Sequence, residues 1–258
     1  MKLYLDYFKM HFKSDMQYKA SFTLSFISQF FVFFGYYFTI ICLFDKFNNI
    51  KGFSLYQILL TFGIIQFGHA FCETFFRGID EFDNLIINGE FDRLLLRPKN
   101  ILLQVCGYEI SFIKFSRLLQ SIIVLIIAII NIDINWNIYK IITLLFMLLS
   151  SILIFLGTII LAASYCFFTI KGLEVRNIFT DGCKHMAQYP ISIFNKGFRF
   201  FFTFIVPFAF VNYYPLLYLL DIKTNKLLII SPILTIIYLI ISIFVFYRGV
   251  KRYSSTGS

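Results

Sequence analysis

The chain has 258 residues, of which 59% are hydrophobic, 21% aromatic and only 14% charged, and its 23 Lys+Arg outnumber its 14 Asp+Glu to leave a formal charge of +9. A soluble domain of this size cannot hide so much apolar surface, and a disordered chain, a collagen or a disulfide scaffold has a different composition altogether. What is left is an all-α, polytopic membrane protein of one domain over residues 1–258, whose excess of Lys and Arg belongs to the loops on one side of the bilayer rather than to a nucleic-acid-binding face.

Taken in chain order, residues 1–21 mix Leu, Tyr, Phe and Met with Lys. This predicts an interfacial helix with its lysines near anionic lipid headgroups, the alternative being a plain charged leader. From Ala20 to Phe44 the chain is uncharged. That stretch is too long for a signal-peptide core and no small-residue cleavage site follows it, so it reads as a first span. At ~20 apolar residues per crossing, six spans are expected, over 22–44, 53–77, 110–132, 141–169, 197–217 and 227–247. Pro207 and Pro215 interrupt the fifth, so 208–226 is expected to hold a re-entrant or extracellular segment. With the N-terminus inside, segments 1–21, 77–109, 170–199 and 248–258 carry 4, 4, 5 and 3 Lys+Arg. Lys114 and Arg117 bring the inner set to 18, against 5 outside. Both termini are therefore expected in the cytoplasm.

The second span holds Gln66, His69, Glu73 and Arg77, spaced by three, four and four, which places them on one helix face. A charge facing lipid at mid-membrane costs ~2.5–3.5 kcal/mol, so the stripe should face other helices or a cavity. Glu73 and Arg77 form an i,i+4 pair in the favourable order. The stripe either lines a pathway or subunit interface, or is an internal salt bridge beside a buried histidine. No third ligand joins His69 and Glu73, so no metal is expected. The five cysteines are scattered without a CxxC pair and read as apolar fillers.

The loop 78–98 interleaves Asp80, Glu81, Asp83, Glu90, Asp92, Arg93 and Arg97 with Phe82, Leu85, Ile86, Phe91, Leu94 and Leu95. This predicts a short amphipathic helix, a turn at Asn88-Gly89 and a second helical turn stopped by Pro98. Its apolar face is expected to meet a soluble partner, with the membrane surface or the protein's own core as alternatives. The segment 170–199 is expected to be cytoplasmic, with Tyr189-Pro190 setting the entry to the fifth span. Phosphate-loop, zinc-hydrolase and serine-hydrolase signatures are missing. The chain is thus not expected to hydrolyse ATP itself; a membrane scaffold and an intramembrane enzyme built on His69 and Glu73 stay open as readings beside the transport subunit that the resemblance below implies.

The run Gly89-Glu90-Phe91-Asp92-Arg93-Leu94-Leu95-Leu96-Arg97-Pro98 resembles the GELDxLLLRP signature of a branch of ABC-2 type transporter permeases. Tyr189-Pro190, the Pro207–Pro215 run PFAFVNYYP with Tyr214, and the ending Arg252–Ser258 are similar to further landmarks of that branch, in the same order. Phe91 and Thr256 replace a usual Leu and Ala, and Phe167-Phe168 stands where many members have Trp. The resemblance implies the permease of an exporter in the bacterial cytoplasmic membrane. It implies a second permease copy or sister permease and two cytoplasmic ATPase subunits that bind ATP and Mg, while this chain holds no cofactor. It casts Gly89, Glu90, Asp92, Arg93, Leu95, Arg97 and Pro98 as the ATPase-coupling loop. Tyr189, Pro190, Pro207, Tyr214 and Pro215 become structural or gating positions.

Overall fold

The computed structural model describes residues 2–47, 49–169 and 177–254. Among them, regular structure is helical apart from a single bridge between Ile50 and Phe53. α1 (Lys2–Asp15) passes through one short turn into α2 (Lys19–Lys46), whose 28 residues rise about 42 Å and outrun a hydrocarbon core of about 30 Å. α3 (Leu55–Phe75) opens on a capping box between Ser54 and Gln57, which satisfies two otherwise orphaned donors. Four short helices follow: α4 (Arg77–Asp80), α5 (Phe82–Ile87), α6 (Glu90–Leu95) and α7 (Ile101–Tyr108). α8 (Phe115–Asn131) and α9 (Ile138–Tyr165) come next, the latter capped by the Asn137 side chain, which accepts from the Lys140 amide at 2.9 Å.

α3 is the buried axis of the bundle, enclosed by α8 and α9. Gly68 makes this possible: a Cβ there would lie 2.5 Å from the Ser151 backbone of α9. Two apolar cores stack along the axis. One, near the chain termini, joins Phe82, Phe91, Phe155 and Phe246; the other joins Ile58, Phe62, Leu216 and Leu219. Both described ends of the chain meet the first core. The Tyr4 hydroxyl donates to the Phe75 carbonyl, and the Tyr253 ring packs edge-on against Phe91 at 5.1 Å.

After α9 the fifth span, expected over 197–217 with interruptions at Pro207 and Pro215, is broken at Pro207. A π-helical turn over Ile178–Gly182 leads into α10 (Cys183–Ala187). This segment, part of the stretch 170–199 expected to be cytoplasmic, runs along α3. Asp181 lies 3.9 Å from His69, and the Thr61 hydroxyl donates to the Gln188 carbonyl at 2.7 Å. Those α3 positions are about 12 Å apart along the axis. The chain breaks at Pro190, and α11 (Lys196–Phe200) continues through a second π-helical turn to Ile205. At Pro207 it bends by 77° into α12 (Phe208–Val211) and α13 (Tyr213–Leu219). Pro215 sits in the first turn of α13, where its missing N–H costs nothing. The segment ends at Asp221, whose carboxylate accepts from Lys140 Nζ at 2.7 Å. α14 (Leu227–Ile230) and α15 (Leu234–Arg252) close the fold, α15 against α9. Among the described residues, five helices are long and apolar enough to cross a membrane, six if the bent pair counts as one span. The last residues of the terminal motif, Ser255–Ser258, lie outside the described residues.

Candidate functional site: a polar cavity and a helical loop

Three of the four stripe residues meet at one cavity. Its volume is about 380 Å³, room for on the order of ten waters. Glu73 is its centre. The carboxylate accepts from Arg117 of α8, and lies 3.3 Å from His69 Nδ1, 3.8 Å from Arg77 and 3.9 Å from Lys114. Arg117 also donates to the Gln29 side chain at 2.8 Å, which ties α2, α3 and α8 together. The expected Glu73–Arg77 pair is therefore a minor contact. Arg77 donates to Asp80 at 3.0 Å and to Glu81, and stands 3.8 Å from Glu109. Burial raises the Glu109 carboxyl above its ordinary range, with Arg77 pulling the other way. Gln66 lies one turn deeper, buried and outside the cavity, and its Nε2 meets no hydrogen-bond partner among the described residues.

The opposite wall is the 177–187 segment. Lys184 donates to Asp181 at 2.7 Å, and the His185 ring packs 5.3 Å from the Tyr36 ring of α2. In the stretch 170–199 only Tyr189-Pro190 stands out in the sequence, and nothing in the spacing of the other residues says that they would lie beside Glu73. Their i, i+3, i+4 pattern (Asn177, Thr180, Asp181, Lys184) is the signal that a helical reading would have used.

The loop after α3 folds as its sequence predicts, with α5, a turn and α6. Gly89 supplies the turn with a left-handed φ of +68°, which glycine adopts without steric cost. The apolar face goes to the protein's own core: Phe82, Leu85, Ile86, Phe91 and Leu94 are buried, and Phe82 meets Phe91 at 5.0 Å. What remains outside is Ile87, Leu95 and above all Leu96, at 85% exposure. Glu90 accepts from the Tyr108 hydroxyl. This hydrogen bond, followed by burial, pushes the phenol up to about 12. Arg97 donates to the Tyr7 hydroxyl of α1 at 3.3 Å. Arg93 and Arg97 flank a small groove between α1 and α6. Asp92 is half-buried and Pro98 exposed, closing the turn after α6.

Residues 30–257 match the model of a family described as ABC-2 family transporter protein. The chain belongs to the ABC-2 transporter family. No curated protein and no solved structure matches it. The match runs from the middle of α2 almost to the end of the chain, so it includes the cavity, the helical loop and the broken segment of this ABC-2 protein. The landmark prolines mark the breaks of that segment at Pro190 and Pro207. Tyr189 packs beside the second core, and the Tyr214 ring lies tilted against Phe210 at 5.1 Å.

Proposed function

We propose that this ABC-2 chain is the membrane-spanning permease subunit of an ATP-driven exporter, multi-pass in a bacterial cytoplasmic membrane, with both termini in the cytoplasm. ATP and Mg are bound by two separate cytoplasmic ATPase subunits, and a second permease copy or sister permease completes the pathway. Family membership supports the transport role, and the 18 to 5 distribution of Lys and Arg supports the orientation.

The observation that carries the coupling assignment is the loop after α3. It is a helix–turn–helix anchored by buried aromatics, and it sits at the end of the axial helix that also bears Glu73. A rigid base with Leu96, Arg93 and Arg97 on the outside suits an interface with an apolar centre and a polar rim. A push on this loop reaches α3 directly, because α4 is wedged under α7: a Cβ on Gly78 would lie 2.1 Å from the Val105 carbonyl oxygen.

Extraction of the tagged chain from its native membrane in mild detergent, with partners identified by mass spectrometry, tests the reading. A stoichiometric soluble protein with a phosphate-binding loop is expected. Purification of this chain alone in two detergents of different harshness overturns it.

A further inference from the structure

On the transport reading, the polar cavity has a chemistry that specifies its ligand. The 177–187 segment is amphipathic although it lies along α3. Thr180, Asp181, Lys184 and His185 face the cavity. Ile178, Gly182 and Met186 line a separate groove of about 570 Å³, whose other wall includes Phe198 and Phe201. The neighbours Asn177 and Ile178 belong one to each. Cavity and groove are therefore about one helix diameter apart, about 10 Å, within the length of a single lipid molecule. Ionisable residues at membrane depth mark pathways and ligand sites.

The charges in the cavity do not cancel. At its mouth, Arg77 is taken up by Asp80, Glu81 and Glu109. Among the lining side chains, Arg77, Lys114, Arg117 and Lys184 face Glu73, Asp80 and Asp181; the surplus of one positive charge lies in the deeper part around Lys114, Arg117 and Lys184, while Glu81 and Glu109, just beyond the lining, make the mouth acidic. His69 and His185 add donors and no negative charge. Lys114 has Glu73 at 3.9 Å and shares it with Arg117.

We propose that the cavity binds the anionic head, phosphate or carboxylate, of an amphiphile whose apolar chain lies in the groove behind the 177–187 segment. Glu73 competes with that head for Lys114 and Arg117. The ligand is thereby the transported substrate only if the permease reading holds, but its binding is a property of this chain alone.

The test titrates the purified full-length chain, in a nonionic micelle, with short-chain phosphatidic acid, short-chain phosphatidylcholine and inorganic phosphate, read by native mass spectrometry. Phosphatidic acid is expected to bind at least about tenfold more tightly than either of the others. Glu73→Gln should tighten it by about tenfold and Lys114→Gln should weaken it by about as much. A folding defect cannot produce those opposite shifts. Gly182→Leu, which fills the groove, should weaken phosphatidic acid and leave phosphate unchanged. Equal binding of phosphatidylcholine and phosphatidic acid, or no response to Glu73→Gln and Lys114→Gln, overturns the anionic site. Phosphate binding as tightly as phosphatidic acid overturns the amphiphile. Neither failure touches the co-purification of an ATPase, which tests the permease reading separately.

Discussion

The loop 78–98 and the segment 177–205 both mix charged with apolar residues, seven charged in 21 against four in 29, and they fold in opposite senses. In the first, Phe82, Leu85, Ile86, Phe91 and Leu94 turn inward with Asp83 beside them, and Arg93 and Arg97 turn outward, around a two-helix unit fixed by Phe82 and Phe91. In the second, the polar residues Asp181 and Lys184 turn toward the bundle axis, while Phe198 and Phe200 stay exposed. A polar residue beside a hydrocarbon core is stable only when others like it share a cavity, so the second region is inside-out relative to the first. Composition alone does not say which way each polar face turns. The partner helix does: α3 offers His69 and Glu73 to the 177–187 segment, whereas Phe246 of α15 and Phe167, just past the end of α9, offer the loop an aromatic wall.

The comparison can be broken at several points. The largest effect is expected from Gly78→Val, which forces side-chain atoms into the Val105 carbonyl. It should abolish recovery of monodisperse protein in size-exclusion chromatography, and normal recovery would show that α4 and α7 are free to separate. Arg117→Leu comes next. It leaves Glu73 buried without its closest partner, a change that costs about 3–5 kcal/mol in buried pairs, so thermal unfolding in detergent should shift down by several degrees. An unchanged midpoint would mean that Lys114 and His69 suffice.

Charge reversal of the loop, Arg93→Glu with Arg97→Glu, should lower retention of the ATPase subunit by at least about tenfold while the permease itself stays folded. Unchanged retention would place the docking surface elsewhere. Glu73→Gln should keep expression normal and slow transport several-fold, because an anionic head held more tightly leaves more slowly. Loss of folded protein instead would make the carboxylate a purely structural pair. The smallest effect is expected from Leu96→Ala, whose side chain touches little in the chain itself. It should leave stability within about 0.5 kcal/mol and weaken ATPase retention modestly.

Much of this arrangement is legible in the sequence. The uncharged run from Ala20 to Phe44, the Asn88-Gly89 turn and the stop at Pro98 all lie where their local chemistry puts them. So does the convergence of His69, Glu73 and Arg77, because 3.6-residue periodicity is a local property. Two things were not legible. Glu73 pairs chiefly with Arg117, a partner 44 residues away chosen by the packing of α3 against α8. The inward path of 177–187 depends on a polar wall supplied by another helix. Its residues look like a solvated loop until that wall is present. The loop's apolar face likewise looked free for a partner, because the aromatic wall that covers it comes from α15 and from Phe167, just past the end of α9.

Gly68 has a mechanical consequence. Sliding α3 by one turn past α9 would bring Ile64 or Cys72 opposite the Ser151 backbone, where there is no room even for a β-carbon. The two helices are thus keyed in a single register and move as one beam. On the proposed coupling, a stroke that starts at the helical loop would travel along α3 and α9 together.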